Sequence, residues 1–225
     1  MNDLPSVLLS CPLFAGIDPS DLTAMLGCLG ARRLSFPKGE TILREGMPAR
    51  DVGLLLSGQA QLIRTDYFGN RSILMNLSPG QMFAESFACA QADHLPVSVV
   101  ASENCDILLL DCLRIMTTCT HACEFHSRII YNLLQIVARK KLALHRRALI
   151  TAGRTTREKL MTYLLMQAKE AGSARFTIPF DRQALADYLE VDRSGLSVEL
   201  SKLKKEGVLD YYKNSFRLMN IPAAE

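Results

Sequence analysis

The sequence predicts an α+β protein with an N-terminal antiparallel β-roll, a long central helix and a C-terminal winged helix-turn-helix. Three observations carry this prediction. Short apolar runs separated by glycines fill residues 34–110, and a heptad-spaced apolar stripe runs through residues 126–149. Residues 180–218 contain two short amphipathic helices followed by a hairpin.

The composition is that of a globular protein. The 225 residues are 48% hydrophobic and 22% charged, which excludes a disordered chain. No segment approaches about 18 uncharged apolar residues, and the first ten residues lack the basic and apolar regions of a signal peptide. We therefore expect a cytoplasmic protein that does not contact membranes. The net charge of +3 is compatible with a nucleic-acid partner.

An amphipathic helix is predicted ahead of the roll, from Asp18 to Leu29. The roll follows as short, often alternating apolar runs, which are typical of antiparallel strands. A hairpin turn is expected at residues 66–70, where Gly69 and Asn70 supply backbone freedom. The strand candidates are residues 42–43, 52–56, 60–63, 72–77, 97–101 and 105–110.

The long helix is predicted over about residues 126–149. Its apolar residues alternate in steps of four and three, as in a coiled-coil seam, with Lys141 as the one polar member. Ile129, Leu133 and Ile136 form a second apolar face, so the helix can pack on its own roll and also pair with a second copy. The alternative, a surface helix of a monomer, does not explain two apolar stripes. The predicted dimer seam consists of Ile130, Leu134, Val137 and Leu144.

Local signals mark where the C-terminal domain begins. Gly153 allows a break after the long helix and is a candidate hinge. Thr155 and Glu158 have the spacing of a capping box, which predicts that the next helix covers residues 156–171.

The helix-turn-helix pattern points to DNA. Apolar residues line one face of each helix, so the outer face of the second helix is free. Asp192 is a good N-cap, and the first turn then presents Arg193, Ser194 and Ser197 outward. In a helix-turn-helix, this end of the second helix enters the major groove, where such side chains can contact bases and phosphates.

A wing is predicted after Gly207, which is placed to cap the second helix. Its strands are expected at residues 208–212 and 216–219. The whole pattern makes gene regulation the leading hypothesis. The predicted DNA-contacting residues are Arg182, Arg193, Ser194, Ser197, Lys202 and Lys213.

The order of these elements resembles the Crp/Fnr family of bacterial transcription regulators along nearly the whole chain. The resemblance rests on the motifs PLFAGIDPSDL, FPKGETILREG, LLLSGQAQL, PGQMFAESF and RQALADYLEVDRSGLSVELSKLKKEGVL. Two residues depart from the family pattern. Val198 stands where many relatives carry arginine, and Glu190 fills a turn position often held by glycine, so the base preference of relatives does not transfer.

The resemblance implies a division of labour along the chain. Residues 1–125 would form a cyclic-nucleotide-binding-like roll that binds an effector or senses a redox change. Residues 126–152 would form the dimerisation helix and hinge, and residues 153–225 the DNA-binding domain. The implied partners are a palindromic double-stranded DNA operator, a second copy of the chain, RNA polymerase and a small-molecule effector.

The expected effector pocket departs from the pattern of relatives that bind cyclic AMP. Glu85 matches the glutamate that they use for the ribose, but Leu95 and Pro96 replace the arginine and hydroxyl residue that hold the phosphate. Without a guanidinium, cyclic AMP is not the expected ligand, and a less anionic or more apolar one is favoured. Glu85 either contacts that ligand or satisfies backbone donors. The predicted pocket residues are Glu85, Ser86, Phe87, Leu95, Val97 and Val99.

The seven cysteines leave the cofactor open. Cys119, Cys123 and His126 would share one helix face and could ligate zinc or haem. As the alternative, free cysteines are common small buried hydrophobes, and no metal site is predicted. No Gly-rich phosphate loop, nucleophile elbow or paired-carboxylate motif is present, so the chain is not expected to be an enzyme. The rival hypothesis is a small-molecule, metal or redox sensing module without direct DNA function.

Overall fold

The computed structural model of the chain describes residues 6–117 and 124–219. Residues up to Arg139 form one compact unit and residues from Lys140 form a second. The boundary falls inside the long helix, 13 residues earlier than the predicted start of the DNA-binding domain at Gly153. No helix in the described ranges is both long and apolar enough to cross a bilayer.

The first unit opens with short helical segments. Helix α1 (Ser6–Leu9) and a 3-10 turn precede α2 (Pro19–Cys28). Asp18, predicted as the start of this helix, is its N-cap, because its carboxylate accepts a hydrogen bond from the Ser20 amide at 2.9 Å.

The roll consists of two four-stranded sheets, in which every pairing is antiparallel. One sheet has the strand order β1-β8-β3-β6 and the other β2-β7-β4-β5. All six strands expected from the sequence are present, with bounds within two residues of those predicted. The strands are β1 (Arg32–Phe36), β2 (Thr41–Leu43), β3 (Asp51–Ser57), β4 (Ala60–Thr65), β5 (Arg71–Leu77), β6 (Met82–Phe83), β7 (Ser98–Ala101) and β8 (Cys105–Asp111).

Strands β1 and β6 have no counterpart in the prediction. The side chains of β1 are almost all exposed, so its sequence lacks an alternating apolar pattern. It is held at the sheet edge by pairing with β8 and by two ion pairs, Arg32–Asp51 and Arg33–Asp106, both at 2.7 Å. Long-range contacts of this kind leave no local signal in the sequence.

The central strand β3 separates two cores. Successive strand residues point to opposite faces, so Leu54 packs toward the helices of the first unit while Leu55 lies inside the roll. Both faces are covered, which explains its nearly continuous apolar sequence. Gly53 makes room for the ring of Phe83, because a Cβ at this position would lie 2.1 Å from Phe83 Cζ.

Two short helices and the first part of the long helix complete this unit. Helix α3 (Glu85–Cys89) follows β6, and α4 (Cys112–Met116) follows β8. Helix α5 (Glu124–Thr151) is longer than predicted by two residues at each end. Its buried face, with Ile129 and Leu133, packs into the helical core as expected.

The second unit contains a helix-turn-helix and a three-stranded sheet of order β10-β11-β9. The three-residue strand β9 was not predicted, because its single buried residue, Phe176, gives an alternating pattern too short to repeat. One core joins all these elements. They are α6 (Thr156–Ala171), β9 (Arg175–Thr177), α7 (Arg182–Leu189), α8 (Arg193–Lys205), β10 (Leu209–Tyr212) and β11 (Ser215–Leu218).

The start of α6 corrects the predicted capping box in one detail. Thr155 Oγ1 accepts from the Glu158 amide at 3.1 Å, as expected for the first half of the box. The Glu158 carboxylate accepts from the Arg154 amide at 2.7 Å, one residue before the predicted donor. The role of Gly153 as a hinge stays a prediction.

A pair of glycine substitutions tests the packing of β3. Gly53→Ala should lower the free energy of unfolding by about 1 to 3 kcal/mol, because the added methyl overlaps the Phe83 ring. Gly27→Ala is the matched control. It lies in α2 with open space around it and should raise stability by about 0.5 to 1 kcal/mol. Chemical denaturation measures both, and equal effects at the two sites would contradict the packing described.

Candidate nucleic-acid interface

A tight turn sets the angle between α7 and α8. Glu190, directly after α7, adopts the left-handed backbone conformation with φ +53°. The turn is closed by a hydrogen bond from the Val191 amide to the Ala186 carbonyl at 3.0 Å. Arg147 pairs with the Glu190 carboxylate at 3.2 Å, and Lys159 donates to its carbonyl at 3.2 Å. These contacts hold a glutamate in a conformation that favours glycine.

The N-terminus of α8 is capped as the sequence predicts. The Asp192 carboxylate accepts from the Gly195 amide at 2.9 Å and from the Ser194 hydroxyl. These hydrogen bonds, with that of Ser194 the strongest, hold the pKa of Asp192 below its usual range. The first turn of α8 is therefore fixed by a charged cap.

The first two turns of α8 present Arg193, Ser194 and Ser197 to solvent together. The opposite face is fully buried in the core of the unit through three leucines. Ser197 Oγ donates to the Arg193 carbonyl at 3.0 Å. Within the described part of the chain no carboxylate pairs with the Arg193 guanidinium, so its donors are available to an external acceptor. Val198 is exposed on the same surface.

Arg182 differs from the other predicted DNA contacts because it is half-buried. Its guanidinium lies 4.7 Å from the ring centre of Tyr211 and donates to the Lys213 carbonyl at 3.0 Å. Burial lowers its pKa, although it stays charged at neutral pH. Arg182 therefore supports the wing from beneath, and a direct DNA contact by this residue stays a prediction.

The wing carries an exposed lysine at its tip. Lys213 has a φ of +53° in the turn between β10 and β11 and is exposed. The turn is tied to the strand β9 side by Asn214, whose amide donates to the Ile178 carbonyl at 3.0 Å. Lys202 on α8 is also exposed, whereas Lys204 pairs with Asp210 at 2.6 Å. Two of the three lysines are thus open to an anionic partner.

An arginine that the sequence reasoning missed fixes the far end of α8. Arg157 on α6 donates to both carboxylate oxygens of Glu206, at 3.1 and 2.5 Å, and lies 3.7 Å from Glu199. The pairing raises the pKa of Arg157 and lowers that of Glu206. The i,i+4 and i,i+3 patterns used for sequence reading do not reveal a pair 49 residues apart.

The predicted effector pocket is more enclosed than expected. Glu85, Leu95 and Val99 are buried, and Val99 belongs to the core inside the roll. Phe87 and Val97 are half-buried, and exposed Ser86 donates to Glu85 Oε1 at 3.2 Å. Leu95 is fixed by backbone hydrogen bonds with residues 46 and 47. An open apolar pocket lined by all six residues is therefore not the observed arrangement, and their contact with a ligand stays a prediction.

Surface cavities occur elsewhere in the two units. A cavity of about 540 Å³ lies on the wing sheet around Tyr211 and Phe216. A second, of about 360 Å³, lies at the edge of the roll around Phe36 and Cys105. Neither is lined by the residues of the predicted effector pocket.

The predicted dimer seam divides into two kinds of residue. Leu134 and Leu144 are 65% and 71% exposed, as expected for side chains that a second copy of the chain would cover. Ile130 and Val137 are half-buried, and Val137 packs against the helical core of the first unit, so it is not a pure interface residue. Tyr131, Leu142 and Leu149 are also exposed, and helical geometry places them on a neighbouring face of α5, about 100° around the axis from the seam.

The metal-ligand hypothesis lies mainly outside the described residues. Cys119 and Cys123 belong to the undescribed segment, and His126 is buried. Among residues 6–117 and 124–219, no three histidine, cysteine or carboxylate side chains gather as metal ligands. Zinc or haem therefore gains no support from the residues that the structure describes.

Two family models match the chain. Residues 33–116 match the cyclic nucleotide-binding domain, and residues 158–223 match the Crp-like helix-turn-helix domain. The chain belongs to the Crp/Fnr family. The matches confirm the predicted family and fold class. The family consists of transcription regulators and not of enzymes.

Individual relatives are more distant. Over 82 residues the chain is 28% identical to a CRP-like cAMP-activated global transcriptional regulator of Mycobacterium tuberculosis, and this match spans 36% of each protein. The c-di-GMP responsive global regulator CLP of Xanthomonas campestris has 19% identity and a TM-score of 0.50, over 91% of this chain and 100% of that one. The sensor domain of DNR from Pseudomonas aeruginosa has 20% identity and a TM-score of 0.50, over 63% and 89%. The two structures support the fold alone.

The residue before Glu85 gives a testable prediction. Ala84 caps α3 with φ +61°, a conformation that strains any residue with a Cβ. Ala84→Gly should therefore raise the free energy of unfolding by about 1 kcal/mol. Ala90→Gly, at φ −79°, is the matched control and should lower it. Urea denaturation of both variants decides the matter, and a loss of stability in Ala84→Gly would contradict the strain.

Proposed function

We propose that the chain is a sequence-specific DNA-binding transcription regulator that acts as a homodimer. The observation that carries this proposal is the outward face of α8, where Arg193, Ser194 and Ser197 are exposed together while the opposite face is buried. The effector signal would arise in the roll and change the affinity of the dimer for its operator. A small-molecule effector and contact with RNA polymerase are part of the proposal, as is a cytoplasmic location, and these rest on the family resemblance.

The N-terminal end of α8 would enter the major groove. There the Arg193 guanidinium would donate two hydrogen bonds to O6 and N7 of a guanine. Ser194 and Ser197 lie within the same two turns. Each hydroxyl oxygen would accept a hydrogen bond from a base amino group, or the hydroxyl would turn from its present acceptor in the chain and donate to a phosphate. Val198 replaces the arginine of many relatives with an apolar side chain, which suits a thymine methyl group.

Exposed lysines would anchor the complex without reading sequence. Lys202 on α8 and Lys213 at the wing tip are exposed, so each is available to pair with a phosphate. Arg182 would act indirectly, since it holds the backbone of Lys213 through the carbonyl. The wing would then meet the DNA backbone as a braced element.

The homodimer is proposed from the exposed leucines of α5. Large apolar side chains that repeat at seam spacing on a helix surface mark a site where another protein surface binds. Leu134 and Leu144 fit a parallel pairing of two α5 helices, and their exposure is the observation that favours it. A two-fold dimer would bind half-sites about 10 base pairs apart, or a multiple of that distance.

The base-reading role of Arg193 is tested on DNA selected from a random library by the purified protein. Arg193→Ala should weaken binding to the selected operator by about 1 to 3 kcal/mol while changing binding to scrambled DNA much less. Lys202→Ala is the matched control. It should weaken binding to both DNAs and reduce the salt slope by about one unit. Equal losses for Arg193→Ala on both DNAs would move base reading to Ser194 or Ser197.

A substitution that places one charge in the proposed dimer seam tests this interface. Leu134→Asp should weaken dimerisation by several kcal/mol, because a carboxylate would be buried without a partner. Leu165→Asp, the identical change at an exposed leucine of α6, should leave the dimer intact. Sedimentation equilibrium distinguishes the two, and an unchanged Leu134→Asp dimer would refute the interface.

Cyclic AMP should not bind the roll. Leu95, which is 3% exposed, occupies the position of the phosphate-binding arginine, so nothing there offsets the cost of removing the phosphate from water. Isothermal calorimetry with cyclic AMP should therefore show no binding at micromolar concentration. A binding isotherm with a micromolar dissociation constant would mean that another cationic side chain of the roll pairs with the phosphate.

A further inference from the structure

Two cysteines of the first unit lie in contact where two short helices meet. Cys89 is the last residue of α3 and Cys112 is the first of α4. Their sulfur atoms lie 3.7 Å apart, with the Cys112 thiol donating to Cys89 Sγ. Among the cysteines that the structure describes, this is the one pair in hydrogen-bond contact.

The two thiols have different environments. Cys112 is 1% exposed and lies in the helical core, whereas Cys89 is half-buried at its edge. The hydrogen bond from Cys112 stabilises a thiolate at Cys89 and lowers its pKa, against the opposing effects of burial and of Glu85. The shared hydrogen bond and burial raise the pKa of Cys112. The first proton lost by the pair therefore leaves Cys89, which is also the sulfur that solvent can reach.

We propose that Cys89 and Cys112 form a peroxide-reactive dithiol that closes to a disulfide between α3 and α4. The Cys89 thiolate attacks one oxygen of hydrogen peroxide and breaks the O–O bond, giving a sulfenic acid and a hydroxide that leaves as water after taking a proton. The Cys112 sulfur then attacks the sulfenic sulfur. The departing hydroxide takes the Cys112 proton, so two thiols lose two electrons and peroxide becomes two waters.

Closure requires a small movement of the two helices or their side chains. The sulfur atoms must approach from 3.7 Å to about 2.05 Å, the length of a disulfide bond. Both helices have five residues, so each can adjust without breaking a long element. Helix α3 begins with Glu85 of the predicted effector pocket, and α4 precedes α5 in the chain. The bond would therefore link the sensing region to the segment that leads to the dimer helix.

The linkage can be measured directly in the full-length protein. Reduced protein is treated with hydrogen peroxide, its remaining thiols are blocked, and it is digested with trypsin and Asp-N without reductant. Cleavage at arginine and before aspartate separates the cysteines: residues 72–92 contain Cys89, residues 93–105 contain Cys105, residues 111–114 contain Cys112, and residues 115–128 contain Cys119 and Cys123. The expected product is residues 72–92 joined to residues 111–114, with two thiols lost per chain.

Three variants sharpen the test. Cys89→Ser should abolish the linked product, and Cys112→Ala should stop the reaction at a Cys89 sulfenic acid that dimedone traps. Cys105→Ser is the matched control, because burial raises the pKa of that thiol, and it should leave the product unchanged. The wild-type digest does not depend on any variant folding. Peroxide-treated protein in which Cys89 stays a thiol, or pairs with another cysteine, would overturn the proposal.

The regulatory consequence rests on the proposed function, and DNA binding separates the two. Oxidised wild-type protein should differ from reduced protein in affinity for the selected operator, and Cys112→Ala should show no such difference. A linked product without DNA binding in either state would reject the proposed function and retain the dithiol. Operator binding without the linked product would reject the dithiol alone.

Discussion

The burial of one face of α8 fixes the orientation of the surface that we propose to meet DNA. Leu196, Leu200 and Leu203 are fully buried, at the i, i+4, i+7 spacing of one helix face. Burying each leucine stabilises the fold by about 1.5 to 3 kcal/mol. Rotation of α8 about its axis would expose these side chains, so the core fixes which residues face outward. Arg193 and Ser197 are exposed as a consequence of that packing.

Two further contacts fix the two ends of α8, in addition to its rotation about its axis. The Asp192 cap defines where α8 begins, and the pairing of Arg157 with Glu206 holds its other end against α6. The wing is braced in turn, because Arg182 lies against Tyr211 and holds the backbone of Lys213. The side chains proposed to meet DNA are therefore carried by elements that separate contacts hold in place.

Elements with a local periodic signal could be predicted from the sequence, and those held by distant partners could not. The leucines of α8 and the two faces of α5 repeat with helical spacing, so both helices and their exposed sides were anticipated. Strand β1 is stabilised by pairing with β8 and by Arg33–Asp106, a contact 73 residues apart. No window along the sequence contains that information.

The site residues follow the same division. Arg193 is exposed by the periodicity of its own helix, whereas the half-buried state of Arg182 depends on Tyr211, which arrives from the wing. Leu95 shows the same limit, since residue type predicted an apolar pocket wall but backbone bonds to residues 46 and 47 enclose it. The proximity of Cys89 to Cys112 likewise comes from the tertiary contact of α3 with α4.

In the proposed complex, the N-terminal end of α8 reads guanine in the major groove. Methylation interference tests it most directly, because dimethyl sulfate places a methyl group on guanine N7, one of the two acceptors proposed for Arg193. Methylation of one guanine in each half-site should prevent binding by the wild-type protein, and it should not weaken the already reduced binding of Arg193→Ala. Binding that is insensitive to guanine methylation, or sensitive only to adenine N3 in the minor groove, would contradict it.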